Sequence, residues 1–246
     1  MVTNKTFPAV ANDFLTGKCI LIDKPAGWTS FDVVNKLRYA LRSKLQIKKI
    51  KVGHAGTLDP LAEGLMIVCS GKATKTIAEF LALPKTYETT LFFGATTLSF
   101  DREMPVDTTY PTEHITKELL ESTIDAQFKG SIAQIPPQFS AKRIDGKRAY
   151  QYARKGETKT LKPKLITIDK FEITRFQLPE VTVRITGSSG TYIRSIARDL
   201  GKAVGSGAYL KDLQRTHIGT FTINDALNIE TFLEKLENCS LLPIKQ

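Results

Sequence analysis

Apolar and polar residues alternate over positions 85–94, with Tyr87, Thr89, Leu91 and Phe93 on one side, which is the period of a half-buried strand. The alternation returns at 180–187, where Val181, Val183 and Ile185 oppose Thr182, Arg184 and Thr186. Continuous apolar runs at 18–25 and 65–69 predict buried strands, the first ended by Lys24-Pro25. Further strands are predicted at 129–135, stopped by Pro136 and Pro137, at 165–177 and at about 213–223. Elsewhere the period is helical. Val33, Val34, Leu37 and Leu41 share one side of a helix capped by Ser30, and Ile193, Ile196, Ala197, Leu200 and Val204 form the apolar stripe of a helix over 191–204. Helices are also predicted at 74–83, 113–128 and 225–236, whereas 98–111 reads as a polar loop. The elements follow no βαβ rhythm and several strands fall in pairs, so the fold class is α+β with a largely antiparallel sheet. No repeat or low-complexity linker divides the chain, and one domain over residues 1–246 is expected.

Charge adds a partner to this picture. Lys and Arg number 35 against 25 Asp and Glu, a net +10, which favours a polyanion: nucleic acid or an anionic membrane surface. No apolar run approaches the ~20 residues of a membrane span, so nucleic acid is the better reading and no membrane partner is expected. Cys19, Cys69 and Cys239 are odd in number and scattered, which makes neither a disulfide framework nor a zinc site and suits a reducing cytoplasm. The first residues lack the basic-then-apolar order of a signal peptide.

Chemistry concentrates at HAGTLDPLAEGLMIVCSGKATK (residues 54–75). By itself Thr57-Leu58-Asp59-Pro60 is a turn, with Asp59 bonding its own backbone. The surroundings argue for more. Gly53, Gly56 and Gly64 allow close backbone approach, His54 lies five positions upstream, and Leu58, Leu61 and Leu65 could shield the carboxylate. A shielded carboxylate needs a cation or changes protonation state. Arg194, in the first turn of the helix after GSSGTYI, is the best cation on offer. Arg198 and Lys202 continue its stripe and read as a solvated face. His54, His114 and His217 lack ligand spacing, and no CxxC, GxGxxG or GxxxxGK[ST] occurs, so neither a metal nor a cofactor is expected. The segment 142–155 clusters Lys142, Arg143, Lys147, Arg148, Arg154 and Lys155 around Tyr150 and Tyr152. It combines phosphate-binding charges with stacking rings, or else is a solvated face.

Taken together, these stretches resemble a known family. GHAGTLDPLAEGLMIVCSGKATK is similar to the signature of the TruB-type bacterial tRNA pseudouridine-55 synthases. ILIDKPAGWTSFDVV, KTYETTLFFGATT, PPQFSAKRIDGKRAYQYARKGE, GSSGTYIRSIARDLG and GAYLKDLQRTHIGTF resemble its other motifs, in the family's order. The resemblance implies the pseudouridine synthase fold, a mixed and mostly antiparallel sheet flanked by helices with a central cleft, and an RNA-gripping insertion at about 136–160. By position it implies Asp59 as the catalytic aspartate, Tyr87 as the active-site tyrosine and Arg194 as the aspartate's partner. It also implies His54, Tyr192, Leu213 and Lys24 as substrate-site residues, with Lys24-Pro25 supporting the cleft floor. The implied activity is conversion of uridine 55 in the tRNA T-loop to pseudouridine, by a monomer that uses no guide RNA. A dyskerin-type, guide-dependent synthase and a non-catalytic RNA chaperone are the alternatives. Ala55 and Glu63 depart from residues that are often Thr in the family. The roughly two dozen residues after the last motif, 225–246, form a short helical tail too small for the PUA domain that many members carry.

Overall fold

The computed structural model describes residues 1–140, 142–144, 146–157 and 159–243, and all their side chains but that of Arg143. The chain divides into two compact units, Met1–Lys85 with Gln214–Gln246, and Thr86–Leu213. The first unit opens with α1 (Asp13–Thr16), β1 (Cys19–Lys24), α2 (Ser30–Leu45), β2 (Val52–His54), β3 (Glu63–Ser70), a 3-10 turn (Gly71–Thr76) and α3 (Ile77–Ala82). Then come β4 (Lys85–Phe93), β5 (Ala95–Thr97), β6 (Val106–Thr109), α4 (Lys117–Gln127) and β7 (Gly130–Gln134). Next are β8 (Arg143–Ile144), β9 (Lys147–Arg148), α5 (Ala149–Ala153), β10 (Lys164–Gln177), β11 (Glu180–Gly187), α6 (Ile193–Ala203) and β12 (Ala208–Leu210). The chain returns to the first unit with β13 (Gln214–Ile218), β14 (Phe221–Thr222) and α7 (Ile229–Glu237).

In the first unit β3 is the central strand. It runs antiparallel to β1 on one edge, and on the other it meets β2 antiparallel and then β13 parallel. Both faces of β1 and β3 are buried, which is why their sequences are apolar runs rather than alternations. Leu21, Leu65, Ile67 and Ile218 pack on one face, with Ile77 and Phe80 laid over them. Phe7, Phe14 and Phe232 meet edge to face at 5.7–6.0 Å and tie the first residues to α1 and α7. Helix α2 runs on to Leu45, past the predicted end. Its cap is Thr29, which shares a reciprocal capping box with Asp32, and not Ser30.

The register of β1 on β3 also corrects the reading of the cysteines as scattered, because Cys19 lies opposite Cys69. The Cys69 thiol donates to the Cys19 sulfur at 3.5 Å. That bond draws Cys19 down to about 6, while the same bond and burial push Cys69 far up. Half-buried Cys19 is therefore the more acidic and more reactive thiol of the pair. Iodoacetamide labelling read by peptide mass spectrometry should show Cys19 rising through about pH 6 and nearly level by 7.5. Cys69 should stay unlabelled. A Cys19 profile still climbing at pH 8.5 would contradict this arrangement.

In the second unit the strand order is β4-β11-β10-β7, with β12 also on β4. Strands β4 and β11 alternate buried and half-exposed as predicted, and Tyr87, Thr89, Leu91 and Phe93 all point inward. Strand β10 is antiparallel to both neighbours. The apolar stripe of α6 is buried along its length. The predicted loop at 98–111 contains a strand, β6, paired to β5. The architecture is α+β with a mixed, mostly antiparallel sheet.

Candidate active site

Asp59 stands half-buried in the loop between β2 and β3. The loop is held from three sides by buried polar groups. Ser30, freed from capping, accepts from the Leu58 N–H at 2.8 Å and donates to the Leu58 carbonyl at 3.1 Å. Lys24, fully buried at the end of β1, donates to the carbonyls of Pro25 (2.9 Å), Trp28 (2.6 Å) and Pro60 (3.4 Å). It thereby joins the Trp28 turn to the residue after Asp59, beside the Gly27 N–H to Pro60 carbonyl bond at 2.8 Å. Arg215 on β13, 1% exposed, donates to the carbonyls of Leu65 (2.8 Å) and Gly56 (3.1 Å) and so spans the loop from behind.

These supports set the local electrostatics. Burial pulls the Lys24 ammonium down to about 8, while the carboxylates of Asp59 and Glu63 pull the other way. Burial, then the Arg215 charge, lowers His54, with a contact to the Gly56 backbone opposing them, so the imidazole is neutral at pH 7. The loop thus presents one carboxylate with a cation, a neutral imidazole and apolar Leu58 nearby. Leu58 and Leu65 are buried as expected of a shield, whereas Leu61 is 39% exposed.

Tyr87, Tyr192, Arg194 and Leu213 belong to the second unit. Tyr87 points inward from β4, 9% exposed. At the start of α6, Gln134 accepts from the Tyr192 N–H at 2.8 Å and donates to the Tyr192 carbonyl at 3.0 Å. One residue into α6, Arg194 is 4% exposed. It donates to the carbonyls of Ser99 (3.1 Å) and Phe139 (2.8 Å), and its Nε lies 3.6 Å from the Asp101 carboxylate. Asp101 is held in turn by the Ser99 hydroxyl at 2.6 Å and the Glu103 N–H at 2.9 Å. Of the basic stripe on this helix only Lys202 is a solvated face, since Arg198 pairs with Asp199 and lies 5.0 Å over the Phe100 ring.

Phe139 begins the basic arm. Gln138 closes its base against Lys159, donating to its carbonyl at 2.7 Å and accepting from its N–H at 3.3 Å. Lys147, Arg148, Arg154 and Lys155 are exposed on the arm, while Lys142 donates to the Lys162 carbonyl at 3.1 Å. The Arg143 side chain lies outside the described part. Each tyrosine of the arm has one face covered, Tyr150 by Arg154 at 5.5 Å and Tyr152 by Lys159 at 4.8 Å.

Three supporting residues escape a reading of the sequence. Arg215 sits in a polar run, Gln214-Arg215-Thr216-His217, that suggests an outward side chain, and only the carbonyls it meets from distant residues reveal its burial. Asp101 lies in the segment read as loop. Ser30 has the look of a cap, although the Thr29-x-x-Asp32 spacing is the better capping signal.

Comparison with known proteins completes the picture. Residues 42–193 match the model of the TruB family pseudouridylate synthases, N-terminal domain. The chain is 55% identical over 225 residues to a protein of Phocaeicola vulgatus named tRNA pseudouridine synthase B, covering 92% of this chain and 95% of that protein. Against a protein of the same name from Parabacteroides distasonis it is 54% identical over 226 residues, covering 91% and 96%. Among solved structures it superposes on a chain of a Cbf5–Nop10–Gar1 complex with a TM-score of 0.69 at 23% identity, covering 95% of this chain but 58% of that one. At that identity the likeness is one of fold. With a family model across more than half its length and relatives more than half identical over nearly all of it, the chain belongs to the TruB family of pseudouridylate synthases, enzymes that isomerise uridine.

Proposed function

We propose that this chain converts the uridine at position 55, in the T-loop of tRNA, to pseudouridine. The bond from C1′ to N1 breaks, the uracil turns, and a bond from C1′ to C5 forms. The C5 proton leaves and N1 gains one, so no oxidant and no phosphate transfer is needed. A uridine stacked inside a folded loop must first be extruded. Asp59 acts on the extruded nucleotide as an ionised carboxylate. Tyr87 stacks on the uracil and helps remove the C5 proton, and Arg194 is required to keep the reacting group charged. His54, Tyr192 and Leu213 contact the flipped nucleotide, and Lys24 positions the loop that carries Asp59. The arm cations Lys142, Arg143, Lys147, Arg148, Arg154 and Lys155 hold T-arm phosphates. The enzyme works as a monomer in the cytoplasm and needs no guide RNA.

The observation that carries this reading is the support of the Asp59 loop by Lys24, Ser30 and Arg215, three buried polar side chains that each bond its backbone. The tRNA substrate is supported by the names of the relatives. The test is to incubate the purified chain with an unmodified tRNA transcript and map pseudouridine by carbodiimide labelling and primer extension. One modified uridine, in the T-loop, is expected. Product elsewhere, or only in the presence of a guide RNA, would overturn the assignment. Affinity should also depend steeply on salt. About six phosphate contacts, at a slope near −0.7 each, imply a loss of roughly 10²–10³-fold between ~50 and ~200 mM. A flat profile would exclude the arm as a phosphate grip.

A further inference from the structure

We propose that α2 and the segment after it, up to Lys51, form a second phosphate-binding surface, one that takes the tRNA backbone outside the T-arm. The inference rests on tRNA being the substrate. Its starting point is a gap in the charge pattern. Between Asp32 and Asp59 there is no acidic residue, yet the stretch holds Lys36, Arg38, Arg42, Lys44, Lys48, Lys49 and Lys51.

Two of these cations serve the fold. Lys44 donates to the Glu237 carbonyl at 2.6 Å, and Arg38 bonds the Asn35 side chain at 2.7 Å and the Val52 carbonyl at 3.0 Å. The other five, Lys36, Arg42, Lys48, Lys49 and Lys51, are exposed, and none is ion-paired among the described residues. That sets them apart from much of the protein's charged surface. Lys117, Lys129, Lys170, Arg184 and Lys211 each have a carboxylate within 3.4 Å. Five like charges without counter-charges repel one another, and a polyanion relieves that repulsion by releasing its counterions.

The shape of the surface selects the kind of polyanion. Tyr39, 73% exposed, stands one turn from Lys36 and Arg42 on α2, an amphipathic ring between two cations. Lys36, Tyr39, Ser43 and Lys44 line the α2 side of a groove of about 460 Å³ between α2 and α7, and Glu237 lies on its α7 side, so the phosphate contacts fall to the cations on the outer face of α2 and after it. From Lys36 to Arg42 the helix rises about 9 Å, two to three nucleotide steps of a strand. An anionic membrane fits poorly. A membrane-bound helix needs an apolar face to insert, and the apolar face of α2, Val33, Val34, Leu37, Leu41 and Leu45, is already buried in the core.

The test compares wild type with a Lys36→Gln, Arg42→Gln, Lys48→Gln, Lys49→Gln variant. All four positions are exposed, so thermal melting should be unchanged. Four quantities are measured: affinity for full-length tRNA over a salt series, affinity for an isolated T-arm stem-loop, affinity for polyglutamate, and turnover at saturating tRNA. The variant should bind tRNA about 10–100-fold more weakly near 0.1 M salt. Its salt slope should be shallower by about three, at 0.7–0.9 per lost contact. T-arm affinity and saturated turnover should hold. Unchanged affinity and slope on full-length tRNA would overturn the proposal. So would intact tRNA binding with lost affinity for polyglutamate, which would assign the surface to an acidic protein. These outcomes are separate from failure of the substrate assignment, which would show as a wild-type chain that modifies no tRNA.

Discussion

Asp59→Asn should reduce pseudouridine formation by at least about 10³-fold while leaving tRNA affinity within a few-fold of wild type. The amide has the size and most of the polarity of the carboxylate, and Asp59 is half-exposed, so the loop should keep its shape. What is lost is the negative charge. Attack on the sugar, addition to the base and removal of a sugar proton all require an ionised carboxylate, so the substitution should be silent in binding and severe in turnover. Single-turnover assays with excess enzyme, read by release of tritium from C5 of the target uridine, separate the two. Product at more than a few per cent of the wild-type rate would remove Asp59 from the chemistry. The informative control is Asp101→Asn. Asp101 is 6% exposed and lies 3.6 Å from the Arg194 guanidinium. Removing that charge weakens a buried ion pair, so its effect should appear first in thermal stability. If the two carboxylates exchanged these signatures, the roles assigned to them would be reversed.

Elements whose burial is regular were legible from the sequence. The alternation in β4 and β11 and the helical stripe in α6 each reflect a surface that is half core and half solvent, so period and burial coincide. Strand β6 has no such signature because all four of its residues are exposed, and its pairing with β5 alone makes it a strand. Strand β2 is three residues long, too short for any period. The last helix begins at Ile229, not Asp225, because Asp225 ends a separate 3-10 turn and Asn228 supplies the cap, accepting from the Thr231 N–H at 2.7 Å. At the candidate site the candidate side chains and the Lys24 support were legible, whereas Ser30 and Arg215 were not. Asp59, His54 and Arg194 sit in stretches whose glycines and prolines mark special backbone. Ser30 and Arg215 act on carbonyls and N–H groups 28 and 150 or more residues away in the chain, and no local pattern encodes such a contact.

Arg215→Met tests that long-range support and should give the largest loss of stability of any substitution considered. Met fills most of the volume and keeps the stem apolar but donates nothing, so the Leu65 and Gly56 carbonyls lose the donor that Arg215 gives them in a buried setting. At about 1–3 kcal/mol for each unsatisfied group, the cost is roughly 2–6 kcal/mol, a fall of about 5–20 °C in melting temperature for a chain of this size. Arg215→Lys should recover only part of it, since one ammonium cannot reproduce the planar fork that reaches both carbonyls. Turnover should fall alongside, because the loop carrying Asp59 is what Arg215 spans. Gly64→Ala attacks the same junction from the opposite strand. Gly64 is the register partner of Arg215, its φ is +105°, and an added Cβ would lie 2.5 Å from the Arg215 carbonyl oxygen. Both variants should therefore melt early, and both should regain activity on cooling if they lose it through the loop. A stable Arg215→Met protein with full turnover would show that the β3–β13 junction is not what holds the Asp59 loop in place.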